Sequence, residues 1–307
     1  MFTHYISGGV EYFEYGEMKK GFPFPESLIR FLYLAMEPYD AELKRAGKAL
    51  REYYPSRDEK YLDVVREVLD ELAGLHEYFE FVRYDFCARM EKAKKLSADD
   101  ASVIDLIHHD ELPRIYSDVW NLQRAIKGLF ASALDKDNAE MSVAEYFSNA
   151  EHDLLRSYHF REIATRYELI DGEMTEVLQP KSYLDLVDYD IRECLKRDIK
   201  MRVCKNCGRY FALTGKASAE YCDITTFENG RTCKDVGAMR VYTKNKNNNE
   251  TFTEYRREYK RRFGWIRAGK IEPNDFYAWS AMAKEQEAAC EKGEITFDEF
   301  KKWLARP

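Results

Sequence analysis

Between Tyr61 and Phe86 the apolar side chains fall in alternating steps of four and three, at Tyr61, Val65, Val68, Leu72, Leu75, Phe79, Val82 and Phe86. That spacing returns to one helix face every two turns and predicts a long helix with a continuous apolar stripe. The amphipathic segments nearby can cover such a stripe as an intramolecular bundle, and a homodimeric coiled coil is its alternative use. Pro25 suits the first turn of a helix carrying Leu28, Phe31, Leu32 and Leu34, which Pro38 closes, and another helix is expected from Asp40 to about Tyr54. Ser97-Ala98-Asp99-Asp100 has the pattern of a cap before Val103, Ile104 and Ile107. After Pro113 the period resumes through Ile115, Val119, Leu122, Ile126, Leu129 and Leu134, and Met141 to Tyr158 reads as a further helix.

Two stretches depart from this period. His4 to Gly21 is rich in Tyr and Gly and predicts a short strand or an irregular arm. Phe160 to Ile170 and Glu173 to Leu178 flank Asp171-Gly172, a dipeptide that accepts positive φ, so a small β-hairpin is expected there. Ser182 then caps a helix carrying Tyr183, Leu184, Leu186, Val187, Ile191 and Leu195. Beyond residue 233 a helix is expected through Val236, Met239, Arg240 and Tyr242, followed by an exposed loop at Lys244 to Glu250. A second helix from about Thr251 carries Phe252, Tyr255, Tyr259, Phe263 and Ile266. Two more follow, one after Asn274 with Phe276, Trp279 and Met282, and one opened by a capping box at Thr296-Phe297-Asp298-Glu299.

The fold class expected is mainly α: a helical bundle with a small β-hairpin and a four-cysteine module, followed by C-terminal helices. Its expected divisions are a helical domain over 1–158, the hairpin and connecting helix over 159–200, the cysteine module over 201–245, and basic C-terminal helices over 246–307. A chain of 307 residues with 45% hydrophobic content can fill a sizeable core. Apolar stretches such as Leu28 to Met36 stop well short of the roughly 20 residues a bilayer crossing needs, so no membrane span is expected. Met1-Phe2-Thr3-His4 lacks the basic and apolar regions of a secretory signal, which points to the cytoplasm.

Seven cysteines are too few for a disulfide scaffold, and an odd count fits reduced thiols. Cys87, Cys194 and Cys290 stand alone in helical segments, where cysteine commonly behaves as a small buried hydrophobe. Cys204, Cys207, Cys222 and Cys233 are clustered with the spacing C-x2-C-x14-C-x10-C. Two thiolates separated by two residues can bind one ion from a tight turn, and Gly208 permits the backbone that turn requires. Two later cysteines complete a tetrahedron with no open position for water, which predicts a structural zinc site. No histidine lies between Lys196 and Lys270 to supply a mixed site. A C-x-x-C redox pair and an iron–sulfur cluster are the competing chemistries.

A Cys-x-x-Cys followed by an aromatic (Phe211), then Tyr221-Cys222, then Cys233 opening a basic helix resembles the CGNR-type zinc finger of bacterial proteins, over about residues 204–242. In place of the naming tetrapeptide stands Cys233-Lys234-Asp235-Val236, and the spacer between the last two cysteines is longer. The long helical body also resembles uncharacterised bacterial proteins. The resemblance implies zinc on the four cysteines, a finger that follows a helical domain, and a role in transcription regulation.

Charge sharpens the picture. From Lys196 to Lys270 there are 19 Lys and Arg against 8 Asp and Glu, a net +11 within a chain whose total is −7. An acidic body joined to a basic segment is the asymmetry expected when one part meets a polyanion. The candidate contacts to DNA or RNA are Arg209, Lys216, Arg231, Lys234, Arg240, Lys244, Arg256, Arg257, Lys260 and Arg261. Glu254 and Glu258 lie within one turn of several of these cations, so a solvated, salt-bridged face is the competing description. Trp265 and Trp279 either stack bases or fill a core. A protein-interaction scaffold with a purely structural zinc site is the second functional expectation. His108-His109-Asp110-Glu111 offers ligand types but reads as a solvated helix terminus ending at Pro113, and His152 and His159 are isolated. The chain contains no phosphate-binding glycine loop, H-E-x-x-H pair or G-x-S-x-G elbow, so no catalytic residues are assigned.

Overall fold

The computed structural model describes residues 1–97, 100–150, 157–225, 230–248 and 250–306, with backbone alone at 150, 241, 242 and 244–248. It divides into two compact units, Met1–Val203 with Arg209–Ala219, and Cys204–Gly208 with Glu220–Pro307. Helices predominate in both, as the apolar period requires.

The first unit opens with strands. β1 (Phe2–Ser7), β2 (Val10–Tyr15) and β3 (Met18–Pro23) form an antiparallel meander. The reading of His4 to Gly21 as one short strand or an arm is thereby corrected. Gly8 and Gly9, both at positive φ, turn β1 directly into β2, which is the geometry of a two-residue hairpin loop. β4 (Thr165–Ile170) and β5 (Glu173–Leu178) form the expected hairpin, with Asp171 and Gly172 at positive φ. β5 adds to the free edge of β1, giving one antiparallel sheet of order β3-β2-β1-β5-β4. A separate ribbon pairs β6 (Met201–Val203) with β7 (Tyr210–Ala212). The hairpin of β4 and β5 belongs to the first unit.

The helices of this unit are α1 (Glu26–Phe31), α2 (Asp40–Ser56), α3 (Lys60–Ala73), α4 (Glu77–Ala93), α5 (Ser102–Leu106), α6 (Glu111–Leu129), α7 (Val143–Ala150) and α8 (Tyr183–Lys196). The stripe from Tyr61 to Phe86 is not one helix. Gly74 ends α3, and His76, in extended conformation, caps α4 by accepting the Tyr78 N–H. α3 and α4 then pack on one another, and Val65, Val68, Leu72, Phe79 and Phe86 are buried inside the unit. The seam that a coiled-coil dimer would share is therefore used internally. α8 starts at a complete capping box, Ser182 with Asp185, and packs on α4. Of the helix expected over Met141 to Tyr158, α7 is the described part, and His152 lies outside the described residues, as do Ala98 and Asp99 of the expected cap.

In the second unit α9 (Cys233–Asn248) runs through the asparagines expected to form a loop, and Asn249 lies outside the described residues. α10 (Glu250–Arg267), α11 (Pro273–Glu291) and α12 (Phe297–Leu304) enclose Tyr255, Phe276, Trp279, Ala283, Phe300 and Leu304. Thr296 and Glu299 form the expected capping box of α12. Arg262 fastens this small core. Its buried guanidinium donates to Glu258 at 2.9 Å and to the Leu304 carbonyl at 3.2 Å, and lies 4.5 Å from the Trp279 ring centre. Among the described residues no helix is long and apolar enough to cross a membrane.

Candidate metal centre

The Cys204-Lys205-Asn206-Cys207 turn closes with the Gly208 N–H donating to the Cys204 carbonyl at 2.9 Å. Gly208 holds φ at +72°, where a Cβ is disfavoured, so this glycine is what lets both thiols face the same point. The other pair, with ten residues between them, is brought together by backbone pairing. A bridge joins Thr225 and Thr232, and the Lys234 N–H donates to the Cys222 carbonyl at 3.0 Å. Thr232 caps α9: its hydroxyl accepts the Asp235 N–H, and the Asp235 carboxylate returns to the Thr232 N–H at 2.8 Å. Cys233 is consequently held at the first residue of a helix.

All four sulfurs lie within 4.8 Å of one another, with Cys204, Cys222 and Cys233 buried and Cys207 partly so. Cys207 and Cys222 are 3.7 Å apart, far beyond disulfide length. Thiolates about 2.3 Å from one metal ion stand roughly 3.8 Å from each other in a tetrahedron, so the Cys207–Cys222 distance suits two ligands of one ion. The surroundings suit thiolates as well. The Cys222 N–H donates to the Cys204 sulfur, and the Asn206 amide donates to the Cys233 sulfur at 3.2 Å. Burial works against ionisation of Cys204, yet backbone N–H groups at Cys207, Cys222 and Asn206 outweigh it and hold that thiol below its ordinary range. Burial and the neighbouring sulfurs push Cys222 upward, which is the repulsion a bound cation would remove. Four converging cysteines can hold a metal ion here.

One glycine binds the centre to the helix beyond it. A Cβ on Gly237 would lie 2.2 Å from Cδ1 of Tyr221, so α9 packs directly against the ring that precedes Cys222. Residues 156–306 match DUF6076, a family of unknown function. No curated protein and no solved structure matches the chain. The matched stretch contains all four cysteines and the whole of α9–α12.

The cations singled out in the sequence are distributed unevenly around this centre. Arg231, Lys234 and Arg240 are exposed in the second unit, at the start and along the first turns of α9, with Lys234 3.2 Å from Asp223. Lys244 is on the same helix, and its side chain lies outside the described residues. Arg209 and Lys216 belong to the first unit, where Arg209 lies over the Tyr33 ring. On α10 the predicted cationic face is partly neutralised: Arg257 pairs with Glu254 at 2.6 Å and Arg261 with Glu258 at 2.5 Å. Lys260 is exposed, and Arg256 stacks over Tyr259. Trp279 is a core residue, whereas Trp265 is half-buried beneath Arg261.

His108, His109 and Asp110 sit at the start of α6, where the sequence suggested a helix end, because Pro113 occupies the first helical turn. Their rings stack, and Asp110 pairs with Arg51 at 3.1 Å. His159, isolated in sequence, lines a cavity of about 620 Å³ with Asp118, Arg124, Tyr158 and Arg161. Sequence reasoning also passed over His4, Glu11 and Asp190, which are fully buried together in the first unit. The available signal was faint: a histidine and a glutamate in strands of otherwise apolar alternation, with their partner far along the chain.

Proposed function

We propose that the second unit is a zinc-stabilised nucleic-acid-binding module, with Cys204, Cys207, Cys222 and Cys233 holding a structural zinc. The observation that carries this reading is that α9 begins at the fourth cysteine, so the exposed Arg231, Lys234 and Arg240 are rigidly referenced to the metal centre. Cations on an element of fixed orientation lose less freedom on meeting a phosphate backbone than cations on a loop. The net positive charge of the region and the CGNR-like order of its parts, which implies a transcription regulator, support the same reading. On α10 the carboxylates of Glu254 and Glu258 lie beside Arg257 and Arg261 and would repel an approaching phosphate, which gives that helix the secondary part.

The test is a mobility-shift series with random duplex DNA, single-stranded DNA and RNA. Charge reversal at Arg231, Lys234 and Arg240 should abolish binding and flatten its salt dependence, while reversal at Arg257 and Arg261 should have the smaller effect. If 6 to 10 phosphates are contacted, affinity falls by about three to five decades between about 50 and 200 mM salt. Binding that ignores both sets of reversals refutes the proposal. A protein partner captured equally well after nuclease treatment would favour a protein-interaction scaffold instead.

A further inference from the structure

The sheet register sets one more group of side chains on a single covered face. β1 and β2 pair with His4 opposite Phe13 and Ile6 opposite Glu11, so His4 and Glu11 are diagonal neighbours on the face that also carries Phe2, Ile6 and Phe13. Phe2, Ile6 and Phe13 are apolar and buried, and His4 and Glu11 are wholly inaccessible among them. Asp190 reaches the same point from α8 and is equally buried.

Each of the three is held through one atom by a neighbouring residue. His4 Nδ1 lies 3.0 Å from the Tyr12 carbonyl, which only accepts, so Nδ1 donates there and Nε2 is the ring nitrogen left to face Asp190. Asp190 Oδ2 accepts the Tyr78 hydroxyl at 2.5 Å, and Oδ1 stands 2.7 Å from that Nε2. Glu11 Oε1 accepts the Ser27 N–H at 2.7 Å, while Glu11 Oε2 is buried with no hydrogen-bond partner. Ligand atoms of all three residues lie within 4.8 Å of one another. A ring nitrogen fixed through a backbone carbonyl, with carboxylates each anchored through one oxygen, is the outer arrangement that metal-binding histidines and carboxylates require. The ring nitrogen and carboxylate oxygen in contact need a proton or a metal ion between them, and Glu11 Oε2, buried without a hydrogen-bond partner, is the group that a shared metal ion would satisfy as well.

We propose that His4, Glu11 and Asp190 form a second metal site, taking one divalent first-row transition ion through one imidazole nitrogen and two carboxylates. Imidazole disfavours calcium and magnesium, and the absence of sulfur distinguishes this site from the four-cysteine centre. Two carboxylates balance the ion's charge, as a fully buried site demands. The ion ties β1 and β2 to α8, which makes it a staple of the first unit.

Manganese(II) is the probe that separates the two centres, because thiolates bind it poorly. The full chain, stripped with chelator and reloaded with Mn²⁺ alone, should bind one tight equivalent. Pulsed electron paramagnetic resonance should show imidazole ¹⁴N coupling to that ion. Glu11→Gln and Asp190→Asn should weaken Mn²⁺ at least tenfold, Cys204→Ser should leave it unchanged, and His108→Ala with His109→Ala should preserve the nitrogen coupling. Wild-type protein that takes up no ion beyond the cysteine centre when offered Mn²⁺, Fe²⁺ or Zn²⁺ overturns the proposal, since protons alone then hold the cluster. A nitrogen signal that disappears with His108 and His109 overturns it too. The wild-type spectrum decides the matter even if a core variant fails to fold.

Discussion

His76 provides a direct measure of how tightly the first unit is closed. Its Nε2 lies 2.9 Å from the Ser27 carbonyl and its Nδ1 accepts the Tyr78 N–H at 3.2 Å, so the neutral ring satisfies both neighbours. A proton on Nδ1 would replace the acceptor that caps α4 and put a charge into a site where the residue is 3% exposed. Burial is the main cause that lowers its pKa from 6.5 to about 4, with Arg30 acting in the same direction and Glu77 against it. Because the folded value is depressed, the unfolded chain binds the extra proton first. The contribution of His76 is therefore fully present above about pH 6.5 and is lost as pH falls towards 4. Linkage makes that loss about 3 kcal/mol between pH 7 and pH 4. Burial also holds the Glu11 carboxyl well above its ordinary range, so the informative quantity is the difference between wild type and His76→Asn, which keeps a cap acceptor but cannot titrate and cancels the other groups. Urea unfolding at half-unit pH steps should show wild type losing about 3 kcal/mol more than the variant on acidification. Parallel curves would falsify the tautomer and the burial together.

The four-cysteine centre should hold one metal equivalent, and Cys233→Ser should release it and melt α9, read as lost helical circular dichroism and lost amide protection from residue 234 onward. Apparent zinc affinities of about 10–16 kcal/mol in small finger peptides mean that a chelator should have the same effect. Gly237→Ala sets two effects against each other: alanine favours a helix by about 1 kcal/mol, while a Cβ 2.2 Å from the Tyr221 ring forces a repacking that costs about 1–3 kcal/mol. The clash should win, and a chromophoric chelator should strip metal faster from the variant; a more stable variant would contradict the packing. Arg262→Met should destabilise the second unit by about 3 kcal/mol in thermal or urea unfolding, because it leaves Glu258 buried with a weaker partner and frees the end of α12.

Much of the architecture was legible because its signals are local. The capping boxes at Ser182 and Thr296 need only residues three apart, and Asp171-Gly172 marks its hairpin by conformational permission alone. The heptad from Tyr61 misled because periodicity records which faces are apolar and is silent about a break: Gly74 and the capping by His76 turn one stripe into two packed helices without disturbing its phase. The strands of Phe2–Pro23 were obscured because Glu11 and Glu14 interrupt their alternation, and the buried place of Glu11 makes sense only once Ser27 and Asp190 are seen beside it.

By itself the chain determined its mainly helical character, its reduced cysteines and the four sulfurs suited to one ion, since residue type and short spacing decide those. Tertiary structure decided that the apolar stripe closes on itself and that His4 meets Asp190 across 186 positions. These depend on which distant surfaces meet, and a contact's chemistry belongs to the pair of residues that makes it, wherever the chain has placed them.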